Sequence, residues 1–313
     1  MNMQQKKVSI VIPVFNESGN IHPLLDALDK CFPEKYEFEV IFVDDGCVDN
    51  TLEILRQATF RGNPVAYISF SRNFGHQNAL RAGLDAMKGD CVITMNGDLQ
   101  HPPELIPILL EKWEQGYDIV YTRRKEDRKQ RRMKRYSSDL FYCIMRLLTG
   151  LQMEHGVADF RLLSRQVSDT LGTFHEQDLF LRGMVKWLGF SQYAVDYIPQ
   201  GRFSGKTKYN YKKMTKFAVQ GLTSFSVRPL YLSIILGIFF SALSLAYIPY
   251  VIWCVFSGHA VAGWASIIIT IMFFGGLQML MLGIIGIYTG KIFIQSKQRP
   301  AYIIKETNIV RPK

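Results

Sequence analysis

The sequence predicts a parallel α/β domain followed by a pair of apolar helices, and three observations carry that prediction. Continuous apolar runs alternate with segments of helical spacing through the first hundred residues. Polar residues gather where those runs end. The 62 residues from Pro229 to Gly290 contain no Asp, Glu, Lys or Arg. An unbroken apolar run, as opposed to an alternating one, marks a strand covered on both faces, and such strands alternating with helices mean a parallel sheet.

Taken in order, VSIVIPVF (Val8 to Phe15) is the first strand, and the helix after it sets Ile21, Leu24, Leu25 and Leu28 on one face. FEVIFVDDG (Phe38 to Gly46) is a second buried strand ending in two carboxylates, with Asp49 capping the helix NTLEILRQAT. VAYISF, the helix QNALRAGLDAMKG and the strand in DCVITMNGD complete the pattern. Ligands of such sheets bind outside the carboxyl ends of the strands. Four successive strands here end in Asn16 and Glu17, Asp44 and Asp45, Arg72 and Asn73, then Asn96, Asp98 and Gln100. In MNGDLQHP (Met95 to Pro102) the last three occupy every second position, so an extended chain would aim them at one cation; an ordinary polar turn is the alternative. No Gly-x-Gly-x-x-Gly follows the first strand and no Gly-x-x-x-x-Gly-Lys-Ser/Thr occurs, which argues against a dinucleotide redox enzyme and a P-loop ATPase. The oxygen-rich set that remains suits a hard divalent cation bridging a diphosphate.

The chain carries 37 Lys and Arg against 27 Asp and Glu, a formal charge of +10 that points to an anionic partner. Its uncharged run exceeds the roughly 20 apolar residues that one bilayer crossing needs, and divides into Leu230 to Phe256, the turn SGHAVAG, and Trp264 to Tyr288, with a kink expected at Pro249. Lys206, Lys208, Lys212, Lys213, Lys216 and Arg228 precede the pair, Lys291, Lys297, Arg299 and Lys305 follow it, and the turn has no Lys or Arg. By the positive-inside bias both ends face the cytoplasm. MNMQQKK lacks an apolar h-region, so no signal peptide is expected. Arg123 to Arg135 holds nine basic residues against two acidic ones and runs into an apolar stripe, as an interfacial helix over about 128–150 would; Tyr211 to Phe225 is a second such segment. Nucleic acid would explain the basic cluster but not two spans and a ring of strand-end oxygens, so no nucleic-acid partner is expected. The five scattered cysteines read as reduced thiols, and His76, His101 and His175 as surface or packing residues.

The series VIPVFNE (Val11 to Glu17), VDDG (Val43 to Gly46), SRNFGHQNALRAGL (Ser71 to Leu84), GDLQHPPE (Gly97 to Glu104), ADFRLLSR (Ala158 to Arg165), FLRGMVKWLGF (Phe180 to Phe190) and GKTKY (Gly205 to Tyr209) resembles the membrane-anchored polyprenyl-phosphate glycosyltransferases of family 2. The resemblance continues through TSFSVRPL (Thr223 to Leu230) and GGLQMLMLGIIG (Gly275 to Gly286) to RPAYI (Arg299 to Ile303), and is strongest to the bactoprenol glucosyltransferases, with dolichyl-phosphate mannose synthases more distant. It implies an α/β GT-A fold over 1–210, a juxtamembrane amphipathic helix over 211–228, the two-helix transmembrane hairpin over 229–290 and a cytosolic tail over 291–313. It implies an inverting, metal-dependent transfer of one hexosyl unit from a nucleotide sugar, with UDP-glucose or a related UDP-sugar as donor, to a polyprenyl phosphate for cell-envelope glycan modification. Mg²⁺ or Mn²⁺ is the implied cofactor. A multi-pass protein of the inner (cytoplasmic) membrane, catalytic domain inward and homo-oligomeric, is expected. The alternatives are a processive polysaccharide synthase, whose Gln-x-x-Arg-Trp motif is absent, and a non-catalytic adaptor or nucleotide-sugar sensor.

The resemblance also implies roles. Pro13, Phe15, Glu17, Asp44 and Asp45 would hold the nucleoside, with Asn73, Asn96 and Gly97 also at the nucleotide sugar. Asp98 would be catalytic as the main metal ligand, with Gln100 and Asn96 assisting. The family writes Asp-x-Asp where this chain has Asn96-Gly97-Asp98, which removes one negative charge and predicts weaker metal binding. Asp159 would be catalytic, as general base or as an orienting group; a loop Asp paired with Arg161 is the structural alternative. Arg182 and Arg202 would approach a phosphate of donor or acceptor, and Arg124, Arg131 and Arg135 would grip the lipid phosphate.

Overall fold

The computed structural model describes residues 5–125, 154, 156–176, 180–198, 226–257 and 263–309. The chain alternates as the sequence predicts through β1 (Lys7–Val14), α1 (Ile21–Cys31), β2 (Glu37–Asp44), α2 (Thr51–Gln57), a short β3–β4 hairpin (Thr59–Phe60, Asn63–Pro64), β5 (Ala66–Phe70), α3 (His76–Ala86) and β6 (Cys91–Thr94). It continues with α4 (Ile106–Glu114), β7 (Ile119–Arg124), β8 (Val157–Ser164), α5 (Arg165–Gly172), α6 (Leu181–Trp187) and β9 (Gln192–Tyr197). Two long helices, α7 (Arg228–Phe256) and α8 (Trp264–Ser296), precede β10 (Ile304–Thr307).

Among the described residues eight strands form one sheet in the order β10-β5-β2-β1-β6-β8-β7-β9. The pairings β5·β2, β2·β1, β1·β6 and β7·β9 are parallel, whereas β8 runs against both β6 and β7, and β10 against β5. The reversal at β8 matters for the site, because it brings the start of that strand to the edge where its neighbours end. The two faces of β1 explain its unbroken apolar run. Val8, Ile10, Ile12 and Val14 pack with Leu24, Leu28 and Leu109 on one side, while Val11 packs with Ala79, Leu80, Val167 and Met184 on the other. Helices α1, α2 and α4 therefore cover one face and α3, α5 and α6 the other. Each fully buried Leu or Ile in these layers contributes roughly 1.5–3 kcal/mol.

The segment expected as a C-terminal tail is part of this sheet over Ile304–Thr307. Beyond the ladder, the Ser71 N–H donates to Ile303 O at 3.0 Å and the Tyr67 N–H to Asn308 Oδ1 at 2.8 Å. Arg56 grips Glu306 bidentately (Nε–Oε1 3.0 Å, Nη2–Oε2 2.7 Å) and the Tyr67 hydroxyl donates to the same carboxylate at 2.6 Å. These hydrogen bonds from Arg56 and then Tyr67 hold the Glu306 carboxyl down at about 2. Tyr302 stacks on Phe70 and donates to Asp85 at 2.8 Å.

Helix α7 runs unbroken past Pro249, and α8 continues two turns beyond its expected end at Tyr288. The two meet through Phe240 against Phe273 and Phe274, and through the Tyr288 hydroxyl, which donates to Ser226 O at 2.6 Å. Within α8, Thr270–Ser296 is long and apolar enough to cross a membrane, and none of it is buried. Its 27 residues rise about 40 Å, against about 30 Å of hydrocarbon. The expected interfacial helix over 128–150, most of the juxtamembrane helix over 211–228, Arg131, Arg135 and Arg202 lie outside the described residues.

Candidate active site

Chain economy at the ends of β1, β2 and β5 explains their polar termini. Asp44 is buried and accepts from the Ser69 hydroxyl (2.7 Å) and the Cys47 N–H (2.8 Å). Asp45, also buried, accepts from the N–H groups of Phe74 (2.7 Å) and Gly75 (3.0 Å). Burial pushes its carboxyl up in spite of those donors. Both carboxylates, expected at the nucleoside, thus pin loops together, and Asp45 fixes the approach to α3. Gly46 makes this possible: its φ is +72°, and a Cβ there would meet the carbonyl carbon of Arg72 at 2.4 Å. Of the other residues expected around the nucleoside, Pro13 is buried inside β1, Phe15 and Glu17 are partly exposed just past its end, and Asn73 is exposed on the β5–α3 loop. Glu17 accepts from the Asn20 amide at 2.5 Å. The N-cap of α2 is Asn50 and not Asp49 as expected; Asp49, one residue earlier, accepts from Thr51 N–H at 3.1 Å and Thr51 Oγ1 at 2.6 Å in a local turn.

The chain does not stay extended after β6. It turns at Gly97 and Asp98, with Leu99 in the left-handed region at φ +59°, so the alternation expected to align Asn96, Asp98 and Gln100 is broken. Asp98 Oδ1 instead accepts from the Gln100 N–H at 3.3 Å, a local turn. Gly97 packs so closely on β1 that a Cβ would meet Val14 Cγ1 at 2.9 Å. His101 closes the turn: it is fully buried, its Nδ1 accepts from the Asn96 N–H at 3.0 Å, and its ring stacks on Phe160. Burial, and then the nearby Arg124 charge, pushes its imidazole down to about 3, so it is a neutral packing residue as expected. Asn96 Oδ1 is buried without a hydrogen-bond partner.

Asp159 faces this turn. The antiparallel register pairs Thr94 with Arg161, so Asn96 and Asp159 each lie two residues past the last pair, and Thr94 Oγ1 donates to Asp159 O at 2.6 Å. Asp159 stands on strand β8, not in a loop. Its carboxylate accepts a fork from Arg182 (Nε–Oδ1 2.8 Å, Nη2–Oδ2 2.7 Å), a third bond from Arg161 at 3.2 Å, and lies 3.5 Å from His76 Nε2. Burial alone would raise its carboxyl, but Arg182, with His76 and Arg161, holds it well below the usual range. Arg161 does pair with Asp159, and its second anchor is Ala158 O at 3.1 Å; burial outweighs Asp159 and lowers the guanidinium to about 10. Arg124 ends β7 with Nε donating to the Tyr197 hydroxyl at 3.0 Å, and Tyr197 lies edge-on to His101 and within reach of the Asp98 charge.

The structure therefore gathers Asn96, Asp98, Asp159, Arg182 and Arg124 at one edge and gives Asp44 and Asp45 structural work. Sequence reasoning named Arg161 only in its structural alternative and gave His76 no place at the site. Arg161 was detectable, since residues two apart on a strand share a face. His76 is exposed, as the surface reading has it, but it also follows the loop pinned by Asp45 and lies 3.5 Å from Asp159 Oδ2. A cavity of about 990 Å³ lies apart from this edge, between Arg81 of α3 and Lys291, Gln295 and Arg299 near the end of α8, and none of Asp159's partners lines it. As for metal, among the described residues no group of three His, Cys, Asp or Glu side chains is placed to hold an ion. One carboxylate and the unpartnered Asn96 oxygen nevertheless fit a hard cation that takes its other ligands from a diphosphate and water.

Residues 9–172 match the family model described as Glycosyl transferase family 2. An uncharacterized glycosyltransferase, YkcC, of Bacillus subtilis (strain 168) is 38% identical over 301 residues, covering 96% of this chain and 93% of that protein. The bactoprenol glucosyl transferase of Shigella phage SfV and the prophage bactoprenol glucosyl transferase homolog of Escherichia coli (strain K12) are each 38% identical over 302 residues, 96% of this chain and 98% of theirs. Among solved structures, glucosyl-3-phosphoglycerate synthase from Mycobacterium tuberculosis, in complex with Mn²⁺, UDP and phosphoglyceric acid, is similar in fold, with TM-score 0.51, 17% identity, and coverage of 70% of this chain and 76% of that one. With a mostly parallel GT-A-like sheet and relatives of this extent, the chain belongs to glycosyl transferase family 2.

Proposed function

We propose that the protein transfers a single hexosyl unit from a nucleotide sugar to polyprenyl phosphate, with inversion, at the membrane face that bears its catalytic sheet. The observation that carries this reading is the pairing, across the β6–β8 register, of an Asp98–Asn96 turn with an arginine-clamped Asp159, in a chain whose α8 is long and apolar enough to span a bilayer. The bactoprenol glucosyl transferase relatives support the acceptor, and UDP-glucose as donor follows from the same likeness.

In the step itself a phosphate oxygen of the acceptor attacks the anomeric carbon and forms the new C–O bond. The bond to the nucleoside diphosphate breaks, and its electron pair leaves on the diphosphate oxygen. Asp98 and Asn96 would hold Mg²⁺ or Mn²⁺, which when bound neutralises charge on the leaving diphosphate. The acceptor phosphate has a second pKa near about 6 and arrives largely ionised, so position and charge balance matter more than a base. An Asp159 clamped by Arg182 is a weak base and suits the orienting role. The apolar residues of α8 and the basic residues that precede α7 would keep the acceptor's tail in the bilayer and its head group at the sheet edge.

Strand β10 supports two crossings. It comes after α8 yet joins the same sheet as the strands that precede α7, so if α8 spans the membrane the number of spans is even and α7 is the second. The test is turnover. Purified full-length protein given UDP-glucose, Mn²⁺ and undecaprenyl phosphate is expected to yield a lipid bearing one sugar. A polymer, or no product across a panel of UDP-sugars, would overturn the reading.

A further inference from the structure

His76 stands out because, among the described residues, the loop and helix that carry it are held without its side chain. The β5–α3 loop is held by backbone donors to Asp45, and α3 packs through Ala79, Leu80, Ala82 and Leu84. Yet the imidazole Nε2 lies 3.5 Å from Asp159 Oδ2, with the side chain 41% exposed, while the carboxylate it faces is 7% exposed. The cluster is layered. Asp159 and Arg161 (5%) are buried, whereas Arg182 (29%) and His76 face outward from them. With Arg182 forked onto both of its oxygens, Asp159 presents little of itself to a substrate. The surface that a ligand meets is an imidazole and a guanidinium edge, both oriented by a buried anion. Such a surface recognises a phosphoryl group.

We propose that His76 is a catalytic residue that hydrogen-bonds a substrate phosphoryl oxygen, with Asp159 as the carboxylate that orients its ring. The inference rests on the proposed transfer to polyprenyl phosphate, a reaction that offers two phosphoryl sources: the diphosphate of the donor and the monophosphate of the acceptor. One residue contacting either places a hydrogen-bonding group where the C–O bonds form and break.

The experiment uses the full chain in detergent with undecaprenyl phosphate and UDP-glucose, comparing wild type with His76→Ala and His76→Gln, and titrating UDP by calorimetry. Wild-type turnover is the control for the underlying reading, so its absence sinks that reading and not this one alone. With wild type active, His76→Ala is expected to lose roughly 10- to 100-fold in kcat/KM, and His76→Gln, which keeps a side-chain N–H, to recover much of it. Loss confined to the undecaprenyl phosphate parameters, with UDP affinity held within about twofold, assigns the contact to the acceptor. A matching loss of UDP affinity assigns it to the donor diphosphate. Either supports a phosphoryl contact. Unchanged kinetics in His76→Ala, or a Gln variant as impaired as the Ala one, overturns it. Because the ring is substantially exposed and its loop is held by backbone bonds, both variants are expected to unfold at the wild-type temperature, and UDP binding by the Gln variant reports a folded site.

Discussion

Asn96 sits where a second carboxylate would double the negative charge offered to a cation, and its side-chain oxygen is already buried and unpartnered. Substituting Asn96→Asp adds that charge with almost no change in volume. The concentration of Mn²⁺ giving half-maximal turnover is therefore expected to fall, by roughly tenfold, in a metal titration of the variant; an unchanged midpoint would mean that Asn96 is not a ligand. The same scale shows how residue chemistry was and was not legible. Asp98 and Asp159 could be picked from strand ends and motif likeness. The fates of Asp44 and Asp45 could not, because whether a strand-end carboxylate faces a ligand or a neighbouring loop depends on which loop the fold lays across it. Here the Ser69 hydroxyl and the Cys47 N–H meet Asp44, and the N–H groups of Phe74 and Gly75 meet Asp45.

At the scale of elements, the first four long strands and their helices were readable because each is an apolar run too continuous for an exposed surface. Strand β10 was not. IKET is short and carries two charges, and its reason for pairing is distant: Arg56 and Tyr67, some 240 residues earlier, receive Glu306. That arrangement has a pH signature. Because the folded carboxyl is held at about 2, below its ordinary 4.5, the stabilisation is fully present above about 4.5 and is lost as pH falls toward 2. Amide exchange over residues 303–309, compared with β1, is expected to accelerate between pH 5 and about 3, and to be fast throughout that range in Glu306→Gln. Equal pH dependence in the variant would mean that β10 docks by its backbone alone. The turn after β6 is the complementary case: its residues looked extended in sequence, but Gly97 and the left-handed Leu99 reverse the chain, so the expected convergence on a cation depends on the turn and not on the pleat.

For the whole molecule, the question is how a sheet and two long apolar helices are arranged along one chain. The proposed hairpin makes a direct prediction. In a variant whose native cysteines are replaced, a cysteine at Ala260, between the helices, should react with a membrane-impermeant thiol reagent added outside cells. One at Gln298, between α8 and β10, should react only after permeabilisation. Labelling of both from outside, or of neither, would break the two-crossing arrangement. This level was legible in part: the uncharged run announced two long apolar helices, while the return of the chain to the sheet, on which the proposed two crossings rest, was visible only once β10 was seen beside β5.

That late return also orders synthesis in time. Until the ribosome has delivered both apolar helices, the outer margin of β5 has no mate, and an open strand margin invites pairing with other chains. The sheet is finished only after α7 and α8 have been made, so a chain that stalls before them is left with an adhesive border.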